Sequence, residues 1–129
     1  MEMNKENIIV GFRETLELKN GKAFRNVHVN NGGYLSIQDG SAVLDCKVES
    51  GGKVHVSDMG YCAGCEIKSG GSINIFSGGT ATIRNWNSGC SLYITSGGIA
   101  YVPGWKPGIG NVTIHNGATI ETEMQMETK

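Results

Sequence analysis

Residues 69–79 read SGGSINIFSGG, with a glycine pair near each end and Ser72, Ile73, Asn74, Ile75, Phe76 and Ser77 between them. Glycine weakens helices and strands alike, so pairs at short intervals mark places where the backbone must turn. Ile73 and Ile75, one residue apart, show the alternation of a short half-buried strand. The stretch reads turn, strand, turn.

Outward from this stretch the pattern repeats. Leu18, Ile37, Val56, Ile75 and Ile94 follow one another at intervals of 19, and Ile114 continues the column if one residue is inserted around Gly108 to Asn111. A column two positions earlier holds Leu16, Leu35, Val54, Ile73, Leu92 and Val112, completing an L-x-I strand. Val10, Val29, Val48, Ile67, Trp86 and Trp105 form a third column, preceded two positions earlier by Ile8, Val27, Cys46, Cys65, Arg84 and Pro103. These make a second, V-x-V strand. Glycines follow both strands, so the unit is strand, turn, strand, longer turn.

A strand of three or four residues is not stable alone, and one such unit cannot bury its single apolar face. Stacking units as coils about 4.8 Å apart pairs their backbones and lays equivalent side chains in ladders. The expected fold is all-β: a single-domain parallel β-helix, or β-solenoid, of about five to six 19-residue coils, with glycine at the corners. Residues 1–7 are assigned to a polar N-terminal cap, 8–122 to the repeats, and 123–129 to a C-terminal cap or edge strand. The tail alternates charged residues with Met124 and Met126, so homodimerisation through a terminal edge strand is the alternative to a cap.

Segments such as VESGGKVHVSDMG, IKSGGSINIFSGGTA and LYITSGGIA make the chain resemble the glycine-paired repeats of AIDA-type autotransporter passenger domains, over roughly residues 8 to 122. That resemblance implies a right-handed parallel β-helix and an adhesive or self-aggregating role at a cell surface. It also implies that Ser50, Ser69, Ser77, Ser88 and Ser96, each just before a glycine, are acceptors for heptose.

With 129 residues and a net charge of −1, the chain has no field to draw it to nucleic acid or acidic lipid. Neither partner is expected. No apolar run reaches the length of a signal peptide or a membrane span, so the chain as it stands is expected in the cytoplasm, or at the cell surface if it is a fragment of a passenger domain. Cys46, Cys62, Cys65 and Cys90 are then expected as thiols.

Catalysis and cofactors find no support in the sequence. Asp39, Asp45 and Asp58 are assigned to different columns and give no paired carboxylates, while His28, His55 and His115 are out of phase with one another. The hexapeptide pattern of acyltransferase β-helices and the calcium-binding Gly-Gly-x-Gly-x-Asp repeat are both missing. The cysteines raise a sharper question. Cys62 and Cys65 have the spacing of a zinc knuckle, and Cys46 lies one coil below Cys65, so three sulfurs can converge, without an evident fourth ligand. The preferred reading has Cys46 and Cys65 replace Val27 as small apolar members of an inward ladder, with no metal.

The repeat breaks at a candidate binding surface. Arg84 and Trp86, then Trp105 and Lys106, depart from the V-x-V pattern beside Tyr93 and Tyr101, a set suited to stacking on a sugar or on a partner protein. Two tryptophans closing a wider terminal coil is the competing reading. Tyr61 and Phe76 add outward aromatic contacts, alongside Tyr34, Lys53 and Lys68. Two functions follow: a non-enzymatic adhesin-like module working through protein contacts, or a small phage- or mobile-element-type inhibitor that binds a host defence protein.

Overall fold

The computed structural model describes residues 5–84, 86, 88–103 and 110–121. Among them the strands in chain order are β1 (Lys5–Val10), β2 (Thr15–Leu18), β3 (Ala23–Val29), β4 (Tyr34–Ile37), β5 (Ala42–Val48), β6 (Lys53–Val56), β7 (Tyr61–Ile67), β8 (Ser72–Ile75), β9 (Thr80–Arg84), β10 (Ser91–Ile94), β11 (Ile99–Tyr101), β12 (Asn111–Ile114) and β13 (Thr119–Glu121). Odd-numbered strands stack into a seven-stranded sheet and even-numbered strands into a six-stranded one. All pairings are parallel, and the chain alternates between the two sheets once per coil. The protein is a β-solenoid of about six turns. Among the described residues no helix is long and apolar enough to cross a membrane.

The 19-residue interval is the pairing register itself: Leu35 lies opposite Val54, Val54 opposite Ile73 and Ile73 opposite Leu92. In the even-numbered strands alternate residues point inward, so Leu35, Ile37, Val54, Val56, Ile73, Ile75, Leu92 and Ile94 are buried. From β10 to β12 the interval becomes 20, with Ser91 opposite Asn111, which accounts for the expected insertion.

The odd-numbered strands are longer than the V-x-V motif implies. Strands β3, β5 and β7 each run seven residues, and a further inward row of Phe24, Val43, Cys62, Ala81 and Ala100 joins the core. Asn7, Asn26, Asp45 and Gly64, again at intervals of 19, interrupt the alternation with left-handed backbone at φ 58°, 60°, 67° and 68°. Asn and Asp visit that conformation more readily than other side chains, and glycine does so without strain. This one-residue bulge lets inward positions three apart face the same way.

The bulge ends after β7. Cys65 pairs with Ile83 and Glu66 with Arg84, so Ile83 fills the inward place expected of Arg84 and the arginine lies exposed. In the next coil Val102, not Pro103, is buried. At the N-terminus, Lys5 to Asn7, expected in a cap, form the start of β1, which pairs with β3. The C-terminal segment 123–129, with Met124 and Met126, lies outside the described residues.

Each glycine of a pair has a separate reason to be there. Gly70, Gly78 and Gly97 have φ of 93°, 83° and 87°, where an L side chain is strained. Their followers Gly71, Gly79 and Gly98 press on the preceding coil; a β-carbon on Gly98 would meet the Ile75 carbonyl oxygen at 2.9 Å. The first glycine turns the chain and the second lets the coils close up.

Candidate functional site

Outward side chains of the even-numbered strands, together with Phe76 and His115 just past the ends of β8 and β12, form a stripe. Tyr34 meets His55 edge-on at 4.7 Å between ring centroids, His55 meets Phe76 at 5.1 Å, Phe76 meets Tyr93 at 6.4 Å and Tyr93 meets His115 at 5.0 Å. At about 4.8 Å per coil the stripe runs about 19 Å along the solenoid axis. Two hydrogen bonds hold its members in place: His55 Nε2 with Asn74 Nδ2 at 2.9 Å, and His115 Nε2 with the Tyr93 hydroxyl at 2.9 Å. Tyr34, His55 and Phe76 are half-buried, while Tyr93 and His115 are exposed. A rigid aromatic surface with polar tips binds at low entropic cost, because little side-chain freedom remains to be lost.

Successive members of the stripe are 21, 21, 17 and 22 residues apart, so a search at 19 passes over them. Large rings reach diagonal neighbours across strands, two positions off register. Phe76 and Tyr93 belong to the expected binding set; His55 and His115, expected to be unrelated, join them. Intervals offset by two from the local coil length are the signal of the stripe that the sequence carries.

Burial lowers the His55 pKa below 6.5, and Lys53 adds a repulsive contribution in the same direction. A histidine whose folded pKa is depressed contributes full stability above the unfolded value and loses it as pH falls from there through the lower folded value, because the unfolded chain takes up the proton first. The urea midpoint is therefore expected to be lower at about pH 5.5 than at about pH 7.5, with a smaller difference in His55→Gln. An unchanged difference in that variant would remove His55 from the account. Burial, and secondarily the Glu17 carboxylate, raise the Tyr34 pKa above 10.0, so its hydroxyl stays protonated at neutral pH.

The other expected contact residues do not form one patch. Tyr93 lies on β10 and Tyr101 on β11, in different sheets. Trp86 is half-buried against the core, with a β-carbon on Gly110 excluded by its indole at 2.6 Å. Trp105 and Lys106 lie outside the described residues. Arg84 faces outward on the odd-numbered sheet, 3.6 Å from Asp45 Oδ1, and Tyr61 is exposed at the start of β7.

Asp39 and Asp58, assigned from sequence to different columns, in fact share one, 19 residues apart, with left-handed φ of 55° and 46°. Asp39 accepts a hydrogen bond from the Asn20 backbone N–H at 2.9 Å, and Gly40 N–H reaches the Asp58 carbonyl at 3.2 Å. Both residues shape turns. The next members of that column are Ser77 and Ser96, while Ser50, Ser69 and Ser88 occupy a second turn column; all five serines are exposed. The Ser77 hydroxyl sits over Gly97 of the next coil, where a β-carbon would approach it to 2.8 Å.

All four cysteines are buried free thiols. The sulfurs of Cys46, Cys62 and Cys65 lie within 4.8 Å of one another. Hydrogen bonds from the Cys62 and then the Cys65 thiol favour the Cys46 thiolate and lower its pKa, while holding those two protons raises the pKa of both donors. Cys90 takes the place of the glycine at Gly52 and Gly71, with its thiol 2.9 Å from the Ile67 carbonyl oxygen.

Fold and surface together define a parallel β-solenoid with an outward aromatic stripe, the form of a binding or structural module. Among solved structures it is similar to the TibC-catalysed hyper-glycosylated TibA55-350 fragment, at a TM-score of 0.68 and 28% identity, over 90% of this chain and 40% of that one. This chain thus spans less than half the length of that fragment. No family model and no curated protein matches the sequence.

Proposed function

We propose that this chain is a non-enzymatic, adhesin-like binding module that engages a protein partner at a cell surface through the stripe of Tyr34, His55, Phe76, Tyr93 and His115. The continuity of those rings over successive coils carries the reading. Aromatic anchors held by neighbours dominate protein interfaces, and a stripe along a rod presents them without rearrangement. Similarity to the TibA solenoid supports a passenger-type role.

The test compares the wild-type chain with a Phe76→Ser/Tyr93→Ser double variant for saturable binding to intact bacterial cells and for self-association. Loss of a central aromatic anchor costs about 2 kcal/mol or more, so binding is expected to weaken at least about tenfold while the circular dichroism spectrum is retained. Undiminished binding by the double variant would overturn the stripe as the contact face. A single stoichiometric partner in a cell lysate, with no binding to cells, would favour the inhibitor function instead. Inhibition of the variant's residual binding by free sugars would identify a carbohydrate partner elsewhere on the rod.

The glycosylated state named for the TibA fragment supports a second property, glycan attachment at the exposed Ser50, Ser69, Ser77, Ser88 and Ser96. Mass spectrometry of the chain produced together with TibC is expected to show sugar-mass increments on these turn serines; an unmodified chain would contradict it.

A further inference from the structure

Four cysteines are scattered over 45 residues of sequence, yet three of their sulfurs meet in the core. Cys46 on β5 and Cys65 on β7 are direct partners in the parallel register, while Cys62 lies opposite Val43. Residues three apart on a regular strand point to opposite faces. The bulge at Gly64, with φ of 68°, cancels that difference and turns Cys62 and Cys65 inward together. Register brings in the first pair and the bulge adds the third sulfur.

We infer that Cys46, Cys62 and Cys65 form a three-thiolate site for a soft, thiophilic cation that accepts three ligands, copper(I) being the probe that fits its chemistry. Thiolate selects soft ions, and metal–sulfur arms of about 2.3 Å in a trigonal arrangement place the sulfurs about 4.0 Å apart. From separations within 4.8 Å, that spacing is reached by small side-chain rotations.

The surroundings favour three ligands over four. Along the two ladders the neighbours of the trio are Val27, Val43, Ala81 and Ile83, all apolar and buried. Among the described residues no other histidine, cysteine, aspartate or glutamate completes the group. Zinc in a closed site takes four ligands and has none to complete its shell here. The fourth cysteine, Cys90, is engaged with the Ile67 carbonyl and supplies an internal control.

An open groove of about 580 Å³ lies over Cys46 on the outer face of the odd-numbered sheet, while the Cys46 side chain points the other way, into the core. Glu6, Asp45 and Glu66 are matched there by Arg25, Lys47 and Arg84, so the groove carries no net charge to draw in a cation.

The test is an anaerobic titration of the reduced full chain with copper(I) against a chromophoric chelator of known affinity. One copper per chain is expected, with an ultraviolet thiolate-to-copper band. Cys46→Ser and Cys65→Ser are each expected to weaken retention at least about 100-fold, whereas Cys90→Ser retains wild-type affinity. If a serine variant fails to fold by circular dichroism, X-ray absorption of the copper-loaded wild-type chain decides, and it must show three sulfur ligands at about 2.3 Å. Failure of the wild type to withdraw copper from the chelator, unchanged retention in a folded Cys46→Ser variant, or zinc competing on equal terms would overturn the inference.

Discussion

Ile75→Asp is expected to abolish the fold. Ile75 is fully buried in an inward ladder between Val56 and Ile94, its registered partners in the coils on either side. Loss of the isoleucine contacts alone costs about 2–5 kcal/mol. A carboxylate there has no cation in the ladder to pair with, and an uncompensated buried charge adds several kcal/mol more. The sum approaches the about 5–15 kcal/mol that stabilises a typical domain. Far-ultraviolet circular dichroism should lose its sheet signal and the urea transition should disappear. Lys68→Asp, at an exposed turn in the same region, should move stability by no more than about 0.5 kcal/mol. A folded Ile75→Asp chain with a cooperative transition would show that this column does not face the core.

Gly79→Ala is the second large effect. Gly79 does not have left-handed φ, so alanine meets no backbone strain there. The obstacle is the preceding coil: the added carbon would fall against the Val56 carbonyl, 2.6 Å from its carbon atom and 3.0 Å from Ser57 N. Backbone cannot swing aside as a flexible side chain can, and opening the coils stretches ladder hydrogen bonds such as Thr80 N–H to the Gly60 carbonyl, at 3.1 Å. A loss of about 3 kcal/mol is expected, the upper range for overpacking. Gly40→Ala provides the contrast. With φ of 74° and nothing within 4 Å of the new carbon, it should cost only the left-handed penalty, about 1–2 kcal/mol. Urea midpoints measure both variants, and a milder effect for Gly79→Ala than for Gly40→Ala would refute the close-packing role of the second glycine.

These contrasts bear on what the sequence reveals. Inward ladders are legible because an apolar side chain recurring at the coil length leaves a direct trace, and Leu35 to Leu92 follow it without exception. The bulge is harder to see. Asn7, Asn26, Asp45 and Gly64 differ in type and share only a tolerance for left-handed backbone, so their common column is a conformational signal without a hydrophobic one. Its loss in β9 displaced the expected inward residue from Arg84 to Ile83.

Surface features follow different rules. The aromatic stripe runs diagonally because rings reach past their registered partners, as Tyr34 reaches His55 although its register partner is Lys53. Sequence neighbours such as Tyr93 and Tyr101, by contrast, separate because the chain changes sheet between them. The sulfur trio was half legible: Cys46 and Cys65 share a column, but Cys62 joins them only through the bulge.

Stripe, serine columns and sulfur trio all depend on the 19-residue register, which a disulfide trap tests most directly. Lys53 and Ser72 are registered partners on the outward face, so Lys53→Cys/Ser72→Cys places two α-carbons about 4.8 Å apart, within disulfide range. The four native cysteines are buried and leave the new pair to react alone. Mild oxidation should link Cys at 53 and 72 within one chain, while Lys53→Cys/Asn74→Cys, two positions off register and about 7–8 Å apart, should stay reduced. Linkage of 53 with 74 in preference to 72 would contradict the register, and with it the stripe, the stacked serines and the convergence of the three sulfurs.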